Sequence, residues 1–176
     1  MSSSSYTIAF ILIAITLANL LWAFLLPAKG ESLPIVKMLT ELERTIKRAD
    51  DTDAGNWSTL RKQIQKQRME LSLLQKNYEF TEEQKNTLNR IYEALYLLVQ
   101  GNWLLYEISD DPEKIKNCYS KALLDIQVIS DHQLKFTIQT GSQESDRRII
   151  DLNNSVAQLY NLINDQIQYL EENYNI

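Results

Sequence analysis

This sequence contains one histidine and one cysteine, and its 23 Asp and Glu residues form no recognisable catalytic or metal-binding pattern. The single histidine, His132, has no second histidine at metal-binding spacing and belongs to no Glu-x-x-His pattern of a di-iron bundle. The pairs Glu82-Glu83 and Glu171-Glu172 fall in predicted helices, where neighbouring side chains point about 100° apart and do not share one site. We therefore predict no catalytic residue, no metal ligand and no cofactor, and expect that the protein is not an enzyme.

Neither the cysteine nor the acidic loop of this sequence indicates a disulfide or a metal site. The single cysteine, Cys118, excludes an internal disulfide and a multi-cysteine metal site, and its helical setting predicts a small core residue. The aspartates that begin at Asp50 do not form an EF-hand loop, because counting from Asp51 puts Asn56 where that loop has Gly and Lys62 where it has Glu. A net charge of -5 disfavours a nucleic-acid partner, since phosphate binding needs clustered Lys and Arg.

An aromatic stripe is the candidate binding feature. Its members recur every three or four residues on one face of the third predicted helix: Tyr92, Tyr96, Val99, Trp103 and Tyr106. A second, leucine-rich stripe runs from Leu88 to Leu105 on the same helix, so we expect this helix to be the central one, surrounded by neighbours. The aromatic stripe then belongs to the core, or it lines a ligand groove or a partner surface.

An apolar run near the start of the chain predicts a membrane anchor. Residues 6–26 contain no charged residue, Gly or Pro, and as a helix they span about 31 Å, close to the thickness of a bilayer's hydrocarbon core. The sequence after this run is polar and amphipathic. We therefore predict three parts: a polar tail (1–5), a transmembrane anchor (6–28) and a soluble helical bundle domain (29–176).

Charges beside the anchor predict its orientation. No Lys or Arg precedes it and several follow it, beginning with Lys29, so the positive-inside rule puts the N-terminus outside and the bundle in the cytoplasm or its organellar equivalent. Tyr6, Trp22 and Lys29 are the expected membrane-interface residues. The alternative is a cleavable signal peptide, because Ala28-Lys29-Gly30 is an acceptable cleavage site, and the bundle is then secreted or periplasmic.

The remaining sequence predicts an all-α fold, an antiparallel bundle of four to five long helices with coiled-coil-like seams. Pro34 suits the first turn of a helix, and Thr81 and Gln84 form a capping box at the start of another. Asp111 is the expected cap of a further helix, and Pro112 lies in the first turn of that helix. Gln67 interrupts the second seam, where it either sets the register or lies at a wet edge. Residues 131–140 fit a helix or a strand.

One stretch has a limited family resemblance. The sequence that ends in Tyr119-Ser120-Lys121-Ala122-Leu123 is similar to a single tetratricopeptide repeat. Because no second copy follows at the repeat length of about 34 residues, we assign the chain to no family.

These observations lead to one functional prediction and two alternatives. We expect a non-catalytic, membrane-anchored helical adaptor, scaffold or assembly factor that binds a protein partner or a second copy of itself at the membrane surface. The first alternative is an extracytoplasmic or secreted helical sensor or ligand-binding domain. The second is a carrier of a hydrophobic ligand, with the aromatic stripe as its pocket.

Overall fold

The structure is a computed structural model that describes residues 34–51, 55–77, 80–108, 111–131 and 143–174. Every element in these ranges is helical, which confirms the all-α prediction. The helices are α1 (Pro34–Asp51), α2 (Trp57–Asn77), α3 (Glu82–Trp103, continued by a π-helical segment, Leu104–Ile108), α4 (Pro112–Asp131) and α5 (Gln143–Tyr174).

All the described residues belong to one compact unit, Pro34–Ile176. The predicted anchor, with Tyr6, Trp22 and Lys29, therefore lies outside the described residues. Among the helices that are described, none combines the length and the apolar composition that crossing a bilayer requires.

Each helix packs against the next one along the chain, and α5 packs against α1, so the bundle closes on itself. Side-chain pairs show that α2 and α3 are antiparallel, because Arg61 meets Gln100 while Gln75 meets Asn89. Because the five helices alternate in direction, α1 and α5, which close the bundle, run parallel to each other. The bond from Gln158 Nε2 of α5 to Asp50 Oδ2 of α1, 2.7 Å long, lies in this closing interface.

Apolar residues at the predicted seam positions form one core that all five helices share. Leu42 and Ile46 of α1, Ile64 of α2, Leu95 of α3 and Ile126 of α4 are fully buried, and α5 contributes Leu159 and Ile163. Burying such side chains is the main favourable contribution to folding. The seams read from the sequence therefore identify the inward faces correctly. Cys118 is partly buried and packs against this core, as predicted.

Two predicted helix starts are confirmed by their hydrogen bonds. The Thr81 hydroxyl accepts from Gln84 N at 3.1 Å, and the Gln84 side chain accepts from Thr81 N at 2.9 Å, which completes the capping box. Asp111 Oδ1 accepts from Glu113 N at 2.9 Å at the start of α4. These contacts satisfy backbone N–H groups that a first turn leaves unpaired.

The third helix was predicted to be the central one, surrounded by neighbours, and from Ile91 to Leu105 none of its residues is exposed. It packs against α2 and α4 and also contacts α5, whereas Asn86, Asn89 and Arg90 near its start are exposed. Its two apolar stripes therefore face neighbouring helices and the core along most of its length. His132 and most of residues 131–140 lie outside the described residues.

Candidate partner-binding site

The aromatic stripe of α3 is divided by the fold among three environments. Tyr92 and Val99 are buried in the core, Tyr96 and Trp103 are half-buried at the contact with α2, and Tyr106 is 42 % exposed. Burial raises the pKa of the Tyr92 phenol well above its ordinary value. The stripe therefore does not form one continuous groove.

Two arginines of α2 cover the half-buried rings. The guanidinium carbon of Arg61 lies 3.8 Å from the centre of the Trp103 ring, and that of Arg68 lies 5.3 Å from the centre of the Tyr96 ring. A cation over an aromatic face is attracted by the ring's quadrupole. Arg61 Nη1 also donates to Gln100 Oε1 at 2.9 Å. The basic residues of α2 thus occupy the outer faces of the two rings that the carrier hypothesis would use as a pocket.

The end of the stripe meets the start of α2. The rings of Trp57 and Tyr106 stack with their centres 6.2 Å apart and their planes 19° from parallel. The Tyr106 hydroxyl donates to Gln166 Oε1 of α5 at 3.4 Å. Ser58 N donates to Glu107 Oε1 at 3.0 Å, so the π-helical segment also caps α2. Three helices are therefore joined around one stacked pair.

Exposed apolar side chains collect around this stack. Burial raises the pKa of the Tyr106 phenol, and the charges of the Tyr169 and Tyr174 phenols raise it further. Tyr169 lies one turn of α5 beyond Gln166, the partner of Tyr106, and Tyr174 is the last residue of α5. Ile108, in the same π-helical segment as Tyr106, is also exposed. We call the surface formed by these four residues and the buried Trp57 the aromatic end. Because α2 starts here and is antiparallel to α1, Pro34 lies at the opposite end of the bundle.

A cleft of about 250 Å³ opens at the aromatic end. It is lined by aromatic and polar side chains from α1, α2, α3 and α5, including Asp50, Trp57, Asn102, Tyr106, Asp165 and Gln166. The indole Nε1–H of Trp57 is buried and has no acceptor among the described residues. Asp50 and Asp165 are exposed, and together they give the cleft a negative charge.

Sequence reasoning identified one residue of this site and missed the others. Tyr106 belongs to the predicted stripe. Trp57 and Tyr174 instead continue the apolar periodicity of α2 and α5, which indicates core positions and not a shared surface. Asp165 and Tyr169 gave no periodic signal. The available signal was the position of aromatic residues in first and last turns, where side chains of several helices converge at a bundle end.

The described part of the molecule is thus a closed all-α bundle with an exposed aromatic end and an acidic cleft. Metal-binding clusters of three or more His, Cys, Asp or Glu side chains do not occur among the described residues. No family model, no curated protein and no solved structure matches this chain. The function therefore has to be argued from the site.

Proposed function

We propose that this chain is a membrane-anchored, non-catalytic helical adaptor that binds a protein partner through its aromatic end. The observation that carries the proposal is the exposure of Tyr106, Ile108, Tyr169 and Tyr174 at the end of the bundle that holds the Trp57–Tyr106 stack. Tyrosine and tryptophan are enriched at protein interfaces and dominate their binding energy. Contiguous exposed apolar surface on a folded domain is typical of an interaction site.

The sequence supports the membrane part of the proposal. The uncharged run at residues 6–26 has the length of a transmembrane helix, and the Lys and Arg that follow it favour a cytoplasmic or equivalent bundle. An anchor would confine the bundle to one membrane face and raise its effective concentration near membrane partners. The partner would bind at the end of the bundle away from Pro34.

Site-specific photo-crosslinking of the full-length chain in its native membrane tests this proposal. A photoreactive amino acid replaces Ile108 or Tyr169 in turn, and Met69 and Leu124 serve as matched control positions. The controls are apolar, 66 % and 63 % exposed, and lie on the outer faces of α2 and α4. We expect a discrete crosslinked product from the aromatic end and none from the controls.

The crosslinked product also identifies the kind of partner. A product of twice the chain's mass indicates a second copy, and any other discrete mass indicates a different protein. Both support an interaction at the aromatic end. Equal products from all four positions, or none from any, would contradict the proposal.

A second candidate function is an extracytoplasmic ligand-binding domain, and the cleft at the aromatic end favours it. This function requires cleavage near Gly30 or the opposite topology. Intact-mass measurement of the chain purified from cells decides on cleavage, because a chain that starts near Glu31 has lost the apolar run. A chain that keeps residues 6–26 and carries a cytoplasmic bundle excludes this second function.

A further inference from the structure

We infer that the cleft at the aromatic end takes a basic side chain, Lys or Arg, from a segment of the partner protein. The inference rests on the proposed function, because it specifies the chemistry of the partner at the same surface. It follows from the charge, the aromatic walls and the unpaired donor of the cleft.

The charge of the cleft selects a cation. Asp50 and Asp165 line it from α1 and α5, and its described lining contains neither Lys nor Arg. Asp50 is held in place by the bond from Gln158 Nε2 to its Oδ2. An anionic ligand such as a phosphate would meet two carboxylates with no compensating cation from the lining. A basic side chain would instead form a charge-assisted hydrogen bond with either carboxylate.

The aromatic walls favour the same ligand. The half-buried rings Trp103 and Tyr96 are each covered by an arginine of this chain, so the fold itself uses cation–π contacts on α3. In the described part of the chain, no such cation covers Trp57 or Tyr106, although Tyr106 is exposed. A guanidinium or ammonium group from a partner would make the equivalent contact there.

The unpaired indole N–H of Trp57 indicates that the basic side chain bound in the cleft is part of a peptide. Trp57 is only 4 % exposed and lines the cleft, and its Nε1–H meets no acceptor within the described residues. An unpaired buried N–H is unfavourable, so an incoming acceptor is favoured. A peptide that carries a basic side chain supplies this acceptor as a backbone carbonyl, which a simple amine does not.

The size of the cleft agrees with one inserted side chain. Its volume of about 250 Å³ lies below the range of about 300–1,000 Å³ that sites for drug-sized ligands occupy. The exposed rings of Tyr169 and Tyr174 at the same end of the bundle offer contacts to apolar residues next to the basic one. The expected segment therefore has a basic residue between apolar residues.

Titration of the full-length chain in mild detergent tests the inference directly. The probe is the blocked tripeptide N-acetyl-Leu-Arg-Leu-amide, and the readout is the indole N–H resonance of Trp57, which is assigned by its loss in Trp57→Phe. We expect this resonance to shift on titration with the arginine peptide and to be unmoved by the corresponding Leu-Glu-Leu peptide. Spermidine, a free polyamine without an acceptor carbonyl, is expected to shift it less.

Charge variants in the cleft provide the decisive comparison. Asp50→Asn with Asp165→Asn keeps the side-chain shapes and should weaken binding of the arginine peptide at least about fivefold. Gln166→Glu adds a carboxylate, keeps an acceptor for the Tyr106 hydroxyl and should tighten binding. The matched control Glu70→Gln with Glu83→Gln changes the net charge equally at exposed positions away from the cleft and should leave binding unchanged.

The outcomes separate the two proposals. Any one of four results would overturn the inference. These are no shift of the Trp57 resonance, equal shifts with the arginine and glutamate peptides, stronger binding of spermidine than of the arginine peptide, and an unchanged affinity of the Asp50→Asn/Asp165→Asn variant for that peptide. If Ile108 still crosslinks a partner in that case, the adaptor proposal stands and only the basic-side-chain inference fails. If Ile108 gives no product although the peptide binds as expected, the adaptor proposal is the one that fails.

Discussion

The hydroxyl of Tyr119 on α4 donates a hydrogen bond to the side-chain oxygen of Asn102 on α3, with 2.6 Å between the two oxygens and both groups buried. The buried hydroxyl of Tyr92, two turns or more along α3 from Asn102, has no partner among the described residues. The bundle therefore contains two buried tyrosines in opposite situations, one satisfied and one not. This difference has a direct consequence for stability.

Removing the hydroxyl should destabilise the bundle at Tyr119 and not at Tyr92. Tyr119→Phe leaves the Asn102 oxygen buried without a donor, and we expect the free energy of unfolding to fall by about 1–3 kcal/mol. Tyr92→Phe removes an unpaired buried hydroxyl, so we expect unchanged or increased stability. Urea unfolding of the two variants in parallel, followed by circular dichroism, measures both effects, and a larger loss for Tyr92→Phe would contradict this account.

Gly101→Ala should destabilise the bundle although alanine favours helix formation. A Cβ atom at Gly101 would overlap Cε1 of the buried Tyr119 ring, so the ring would have to move. Overpacking of this kind costs about 1–3 kcal/mol, which exceeds the gain of about 1 kcal/mol in helix propensity.

A double-mutant cycle identifies the ring as the cause. In a Tyr119→Leu background the obstructing atoms are absent, and Gly101→Ala should then be neutral or stabilising. The measurement is the urea midpoint of the four chains that make up the cycle. An equal loss in both backgrounds would show that the Tyr119 ring is not responsible.

The sequence predicted the helices and their inward faces because each depends on residues close in the chain. The capping box at Thr81 and the cap at Asp111 lie within three residues of their partners. A glycine inside an apolar stripe indicates a close helix contact or a kink, and the Tyr119 ring does lie against Gly101. Local chemistry was therefore sufficient for element type and boundaries.

The sequence did not predict which faces meet. The Trp57–Tyr106 stack joins residues 49 positions apart in the chain, as does the bond from Ser58 N to Glu107 Oε1 that accompanies it. Periodicity places Trp57 with the other apolar residues of α2 but does not indicate its neighbour. A charge pattern likewise does not reveal that Arg61 and Arg68 cover the rings of Trp103 and Tyr96 across the interface. The aromatic end depends on these distant pairings and was missed for that reason.

The buried contact between Thr45 and Gln67 should behave as a coupled unit. Gln67 Nε2 donates to Thr45 Oγ1 at 3.0 Å across the α1–α2 interface, so the polar interruption in the seam is buried and paired. Thr45→Val alone leaves the Gln67 amide unsatisfied and should cost about 1–3 kcal/mol. Thr45→Val combined with Gln67→Leu should recover most of that loss, because both partners are then apolar.

Chemical unfolding of the two single variants and the double variant measures this coupling. Additive losses would mean that the two side chains act independently. A double variant that is stable but changes its oligomeric state on size exclusion would support a role of this pair in setting the helix register.

Stability should decline at alkaline pH because of the buried tyrosines. Burial raises the pKa of Tyr92 and of Tyr119 above the ordinary value near 10. Above about pH 10 the unfolded phenols release protons that the folded ones retain, so the stabilisation that is fully present below about pH 10 is lost as the pH rises. The measurement is the urea midpoint between about pH 9 and about pH 12, with tyrosinate absorbance recorded in parallel. Tyr92→Phe removes one such group and should make the decline less steep, while an identical slope in the variant would exclude Tyr92 as a contributor.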